Sequence, residues 1–168
     1  MTIAEYVIAI QQIRTNIYNL LVAALPGCEV EKRFIMNGTE DDEKWVGALV
    51  NESTGNIRIM IMLLSELPIG GLSGTAGAAN FNPRINFQFE LFHKYTLGTD
   101  TTNSEDTFVA DCARFQYAMG AGRSVGSQGV IERASMRLGI RPSKVQSLHY
   151  GRGEAVVQLR NIRYEAIT

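Results

Sequence analysis

Residues 84–95 read RINFQFELFHKY, and this stretch alternates cleanly between apolar and polar side chains. Four apolar residues share one parity and three polar residues share the other: Ile85, Phe87, Phe89 and Leu91 against Asn86, Gln88 and Glu90. Because successive side chains of a strand point to opposite faces, the alternation predicts a half-buried strand near the centre of a sheet.

Two flanking segments have the spacing of helices. Residues 1–25 carry aliphatic side chains at steps of three and four, and Pro26 and Gly27 end that pattern. Ser104 is placed to cap a second helix over residues 104–120. The apolar stripe of this second helix consists of Phe108, Cys112, Phe115 and Met119.

The other apolar runs predict strands and one short helix. The predicted strands cover residues 28–36, 44–51, 57–64, 144–150 and 154–167. Asn37 and Gly38 form a strong turn signal after the first of them, and Gly151 to Gly153 is predicted to join the last two. The short helix is predicted over residues 130–138.

The order of these elements predicts the fold class. Strands precede and follow the second main helix without βαβ alternation, which is typical of an α+β fold. We expect an antiparallel or mixed sheet with the N-terminal helix and the second main helix packed on one face, and a long Gly-rich loop. A chain of 168 residues is expected to form one domain, residues 1–168.

Composition excludes several classes of protein. Hydrophobic residues make up 45% and charged residues 20%, which is ordinary for a globular protein. No run of 18 apolar residues occurs, so no membrane partner is expected. Cys28 and Cys112 are expected to be small apolar core residues, and a disulfide between them remains an open alternative.

One catalytic pattern occurs in the chain. Residues 122–126 read GRSVG and match the G-x-S-x-G elbow of serine hydrolases, with Ser124 as nucleophile and Glu132 and His149 as possible partners. The elbow requires a strand, a sharp turn and a helix, whereas this motif follows a predicted helix. A hydrolase using Ser124 is therefore the alternative, and we expect no enzyme activity.

No cofactor or metal pattern accompanies this motif. No Lys-Ser or Lys-Thr pair follows the glycines, as a phosphate-binding loop requires. His93 and His149 lie far apart on predicted strands, and two isolated cysteines do not form a zinc framework. We therefore predict no catalytic residues, no cofactor and no bound metal.

Two uncharged surfaces predict contact with another protein. The polar side of the N-terminal helix is rich in neutral side chains, with Gln12 and Asn16 as candidate interface residues. Residues 67–83 hold no charge, four glycines and several apolar side chains. The candidate interface residues of this segment are Leu67, Ile69, Leu72 and Phe81. We expect an arm that docks on a neighbour, with a floppy Gly-rich loop as the alternative.

Charge is distributed unevenly along the chain. Residues 1–112 have a net charge of −7 and residues 113–168 have a net charge of +6. Arg123 and Arg133 belong to the basic part, and we expect them to lie on a solvated or partner-facing surface rather than to bind nucleic acid. This asymmetry suits docking between neighbouring subunits.

A family resemblance joins these features. The N-terminal helix ends in Leu25-Pro26-Gly27, and Glu29-Val30-Glu31 follows in a first strand. A hairpin, a long loop, a Phe-rich strand, a helix and a terminal strand come after them. This order resembles the tail-terminator, or tail-completion, proteins of long-tailed bacteriophages.

The resemblance implies a structural role in the virion. Its members form a ring, typically a hexamer, at the head-proximal end of the tail tube, where the ring stops tube polymerisation and meets the head connector. The implied partners are further copies of the chain, the tail tube protein and the connector proteins, with DNA passing through the lumen without sequence-specific binding. The implied location is the neck or tail of a virion assembled in the host cytoplasm. A head–tail joining protein of the neck is the nearest alternative.

Overall fold

The computed structural model describes residues 3–33, 42–67, 84–94, 101–127, 129–141 and 147–159. These residues form an α+β fold, as predicted. Its elements are α1 (Ile3–Ala24), β1 (Glu29–Glu31), α2 (Asp42–Gly47), β2 (Arg58–Glu66), β3 (Arg84–Lys94), α3 (Thr101–Ala118), β4 (Gly129–Arg141) and β5 (Leu148–Leu159).

The strands form one five-stranded mixed sheet in the order β1-β2-β3-β5-β4. β1 runs parallel to β2, and every other neighbouring pair is antiparallel. β3 lies in the middle of this order, which confirms the prediction made from its alternation. Among the strands that the structure describes, β1 and β4 are the two at the edges of the sheet.

α1 and α3 pack on one face of the sheet, which we call the helix face. Ile13 and Ile17 of α1 and Phe115 of α3 belong to the same buried cluster as the inward side chains of the strands. Phe115 meets Phe89 edge to face, with ring centroids 4.9 Å apart. The predicted stripe of α3 is buried throughout: Phe108, Cys112, Phe115 and Met119.

The opposite face of the sheet, the far face, carries a smaller apolar cluster. Val46 and Leu49 pack there against Ile59, Ile61 and Phe92. The strand predicted over residues 44–51 is therefore wrong, because this segment forms α2 and the turn after it. Apolar residues at positions 46, 49 and 50 also fit helical spacing, and packing on β2 favours the helix.

The short helix predicted over residues 130–138 is also wrong. These residues lie in β4, which pairs with β5 from Gly129 to Arg141. Glu, Arg, Ala, Met and Leu are good helix formers, but the pairing along β5 overrides this local preference. A β-bulge at Glu132 places Ile131 and Arg133 opposite neighbouring residues of β5.

The two strands predicted at the end of the chain are one strand, β5. Gly151 and Gly153 lie in its middle rather than in a turn. A Cβ at Gly153 would lie 3.1 Å from Met136 Cε and 3.2 Å from Phe115 Cζ. The glycines therefore allow the Phe115 and Met136 side chains to approach the backbone of β5 closely.

Other predictions concern the ends of elements and the segments between them. α3 begins at Thr101, so Ser104 lies inside its first turn rather than at its cap, and its hydroxyl lies 3.4 Å from His149 Nε2 of β5. The Asn37-Gly38 turn, residues 68–83 of the predicted arm and residues 160–167 of the last predicted strand lie outside the described residues.

We expect Gly153→Val to destabilise the fold. The new side chain would force Met136 and Phe115 to move, and overpacking of this kind costs about 1–3 kcal/mol. Chemical denaturation measures the loss in free energy of unfolding. Gly139→Ala is the matched control, because the nearest atom to a Cβ at Gly139 is Tyr150 O, 4.0 Å away. A loss at Gly139 as large as the loss at Gly153 would contradict the packing argument.

Candidate functional site

A fully buried carboxylate lies on the helix face where β2 begins. Asp111 of α3 has 0% exposure. Arg58, the first residue of β2, donates from Nε to Oδ2 and from Nη2 to Oδ1, both at 3.0 Å. Arg114 donates from Nη1 to Oδ1 at 2.9 Å. The bidentate pair fixes α3 against β2.

Two further polar side chains complete the Asp111 cluster, which consists of Cys28, Arg58, His93, Asp111 and Arg114. His93 Nε2 lies 3.1 Å from Asp111 Oδ2. Burial favours the neutral acid, but His93, Arg58 and Arg114 outweigh it and lower the pKa of Asp111 to about 2. Asp111 is therefore ionised at neutral pH.

The Asp111 cluster contains three residues of metal-binding type. A ligand atom of Cys28, one of His93 and one of Asp111 lie within 4.8 Å of one another. Both oxygens of Asp111 already accept hydrogen bonds from guanidinium groups. Burial raises the pKa of the Cys28 thiol to about 12, so a metal would have to displace the thiol proton as it bound. The contacts favour a structural ion cluster.

The second buried histidine lies beside this cluster. Phe108 stacks on His149 with ring centroids 5.1 Å apart and meets His93 edge-on at 5.4 Å. Burial lowers the pKa of His149. An uncharged imidazole packed on Phe108 has the environment of a core residue.

Ser124 does not meet its candidate partners. Ser124 is exposed and forms an isolated bridge with Val130, which lies opposite Gln158 of β5. His149 lies near the other end of β5, about 30 Å away at the usual rise per residue. Glu132 instead pairs with Arg84 Nε at 2.7 Å. The three residues therefore do not form a triad.

The predicted interface residues differ in their surroundings. Gln12, Leu67, Arg123 and Arg133 are exposed. Asn16 is half-buried, and a Cβ at Gly126 would lie 2.9 Å from its Nδ2, so it packs against its own chain. The remaining three lie outside the described residues: Ile69, Leu72 and Phe81.

Sequence reasoning missed two exposed apolar surfaces. Tyr117 of α3 is 81% exposed, with Arg123 over its ring at 5.7 Å. Leu138 and Ile140 of β4 are 55% and 59% exposed. The helix predicted over residues 130–138 concealed Leu138 as a candidate. Asp111 was also missed, although it lies between Phe108 and Phe115 at core spacing along α3.

We expect Asp111→Asn to destabilise the protein by about 3 kcal/mol, because removing one partner of a buried ion pair leaves the other charge uncompensated. The folded pKa is lowered from 3.8 to about 2, so the contribution of the carboxylate is complete above about pH 4. It is lost as the pH falls from about 4 towards 2. The difference between the wild type and the variant in denaturation midpoint should shrink over that range. Asp106→Asn, an exposed acid of the same helix, is the control and should cost less than about 1 kcal/mol.

We expect Ser124→Ala to leave stability and assembly unchanged, since Ser124 is exposed and distant from His149. Thermal unfolding and solution mass measure both properties. Loss of function in a folded, normally assembling variant would support the hydrolase alternative.

Comparisons with protein families and with curated proteins find no relative of this chain. No protein-family model matches the chain, and a search of curated proteins finds no match. Within the described residues, no helix is both long and apolar enough to cross a membrane.

Proposed function

We propose that this protein is a structural subunit of a phage virion, a tail terminator whose copies form a hexameric ring at the head-proximal end of the tail tube. The ring ends tube polymerisation and presents a surface to the head connector. Its partners are its own copies, the tube protein and the connector proteins.

The outer surface of α1 is the observation that carries this proposal. Every exposed residue of α1 from position 7 to position 23 is uncharged: Val7, Ile8, Gln11, Gln12, Thr15, Asn19, Val22 and Ala23. Three of these are large aliphatic residues about half exposed to solvent. A helix of 22 residues is about 33 Å long, and a surface helix normally carries charges on its outer side.

Such a surface suits a protein interface. The centres of interfaces are depleted in charged residues, and neutral amides can bond across them without the cost of burying a charge. The α+β fold also supports the proposal, because α1 precedes the sheet and α3 lies between the central strand and the last two strands. The resemblance implies the N-terminal helix, the Phe-rich strand, the helix after it and the terminal strand, whereas α2 stands where the resemblance has the second strand of a hairpin. A head–tail joining protein of the neck would use a similar surface.

Two measurements test the proposed ring. Native mass spectrometry should give about six times the chain mass of 18.6 kDa, and negative-stain images should show a ring with a lumen. Added to assembling tail tubes, the protein should stop elongation. Binding to the connector without any effect on tube length would favour the neck alternative. A chain that stays monomeric at every concentration would contradict both.

We expect the double variant Gln12→Glu, Asn19→Asp to weaken assembly while the subunit stays folded. Both changes keep the side-chain size and add charge to the exposed surface of α1, and burying those charges is unfavourable. Sedimentation measures assembly, and circular dichroism checks the fold. Ser53→Glu, a charge added to an exposed turn, is the control. An assembled double variant of wild-type mass would exclude α1 from the interface.

A further inference from the structure

The edge of the sheet formed by β4 is covered at its start and open beyond it, as far as the structure describes the chain. The connector over residues 121–127 folds back on the start of β4: Gly122 N donates to Ile131 O at 2.7 Å, and Ile131 N donates to Arg123 O at 2.9 Å. From Glu132 to Arg141, no strand among the described residues pairs with the outer side of β4. A long open edge strand is a template for pairing with another chain.

The open edge carries positive charge on its far face. Arg133 and Arg137 are exposed there, and neither forms an ion pair within the described residues. On the helix face, Leu138 and Ile140 of the same edge are exposed. A strand that paired with β4 would therefore need acidic side chains on one face and an apolar side chain on the other.

The other edge strand, β1, has this pattern. Its sequence is Glu29-Val30-Glu31. Val30 pairs with Met60 and belongs to the core of the helix face, so Glu29 and Glu31 lie on the far face. Arg33 pairs with Glu31, and Asn51 Nδ2 donates to Glu29 Oε2 at 2.7 Å. Burial and the neighbouring Glu29 raise the pKa of Glu31, so two adjacent carboxylates would gain from a further cation.

The rows of the sheet bring these patterns into register. Residues that pair from strand to strand form a row across the sheet. Glu31 and Arg137 lie at opposite ends of one such row, and Val30 and Leu138 lie at opposite ends of the next. β1 runs antiparallel to β4 by the same pairings. A second copy placed beside the first would continue the sheet with both helix faces on the same side.

We propose that copies of this chain join head to tail through the sheet edge, with β4 of one copy paired antiparallel to β1 of the next. Arg137 then lies opposite Glu31 on the far face, with Glu29 diagonal to it, and Leu138 packs beside Val30 on the helix face. This inference rests on the proposed ring and supplies its junction. Pairing of two β4 edges with each other would instead bring two rows of arginines together, which is unfavourable.

A head-to-tail contact can close into a ring, because it joins two different surfaces of the subunit. Each copy offers one β4 edge and one β1 edge, and closure uses all of them. The junction also covers the open edge of every subunit, which removes the template for uncontrolled pairing.

Charge exchange between two variants tests this junction. One variant carries Arg137→Glu, and the other carries Glu31→Lys. Each variant alone should associate roughly 100-fold more weakly than the wild type, since like charges then meet at every junction. An equimolar mixture should regain much of the lost assembly, because the reversed charges of the two variants complement each other. Lys94→Glu, a reversal on the exposed end of β3, is the control and should assemble normally.

Cross-linking gives a second readout that does not depend on charge reversal. A mixture of Glu31→Cys and Arg137→Cys chains, treated with a short bis-maleimide, should form covalent dimers, whereas neither variant alone should. Burial raises the pKa of both native thiols, Cys28 and Cys112, to about 12, so they should react slowly. Lys94→Cys mixed with Glu31→Cys is the negative control.

The outcomes separate this inference from the proposed function. Variants that assemble like the wild type, or a ring that yields no mixed cross-link, would overturn the edge junction and leave the ring standing. Folded variants that fail alone and also fail as a mixture would overturn the charge pairing. A wild-type chain that stays monomeric, together with cysteine variants that give no mixed cross-link, would overturn both.

Discussion

The placement of α3 on the sheet depends on keeping the charge of Asp111 compensated. An ionised carboxylate without contact with water is costly, and that cost is offset only when its partners are in place. Those partners come from different elements, with Arg58 on β2, His93 on β3 and Arg114 one turn along α3. Arg58 and His93 are themselves opposite each other in the β2–β3 pairing.

A shift in the register of β2 against β3 would therefore separate the two partners of Asp111 that come from the sheet. The carboxylate would keep Arg114 alone, whose side chain is about half exposed to solvent. The Asp111 cluster thus disfavours such a shift and links the register of β2 and β3 to the position of α3. Apolar packing around Phe89 and Phe115 supplies the burial, while the ion cluster adds specificity.

The parts of the fold with a clear periodicity could be predicted from sequence. β3 alternates from Arg84 to Leu91 because one face lies under the helices and the other is half-buried, whereas Phe92 is buried in the cluster on the far face. α1 and α3 show apolar stripes because one side of each helix packs on the sheet. β4 could not be predicted, because its helix-favouring residues form a strand only through long-range pairing with β5. The glycines of β5 resemble turn glycines until the side chains packed on them are known.

The candidate surfaces were partly visible in the sequence. The uncharged side of α1 follows from counting side chains along a helical period, and Gln12 is exposed as that pattern predicts. The local sequence of Asn16 did not show that Gly126 packs against it. The β4 edge could not be recognised for a different reason. Whether a residue lies at a sheet edge depends on which strands have no further neighbour, and the topology of the whole sheet decides that.

The bulge at Glu132 has a consequence for the shape of the sheet. A bulge bends its strand and increases the local twist, and this one lies where the connector stops covering β4 and the open edge starts. The open part of β4 therefore runs at an angle to the part that the connector holds, while both parts stay paired with β5. A sheet that continued from copy to copy along a straight edge would grow into a ribbon, whereas a bend repeated in every copy gives the row a constant curvature.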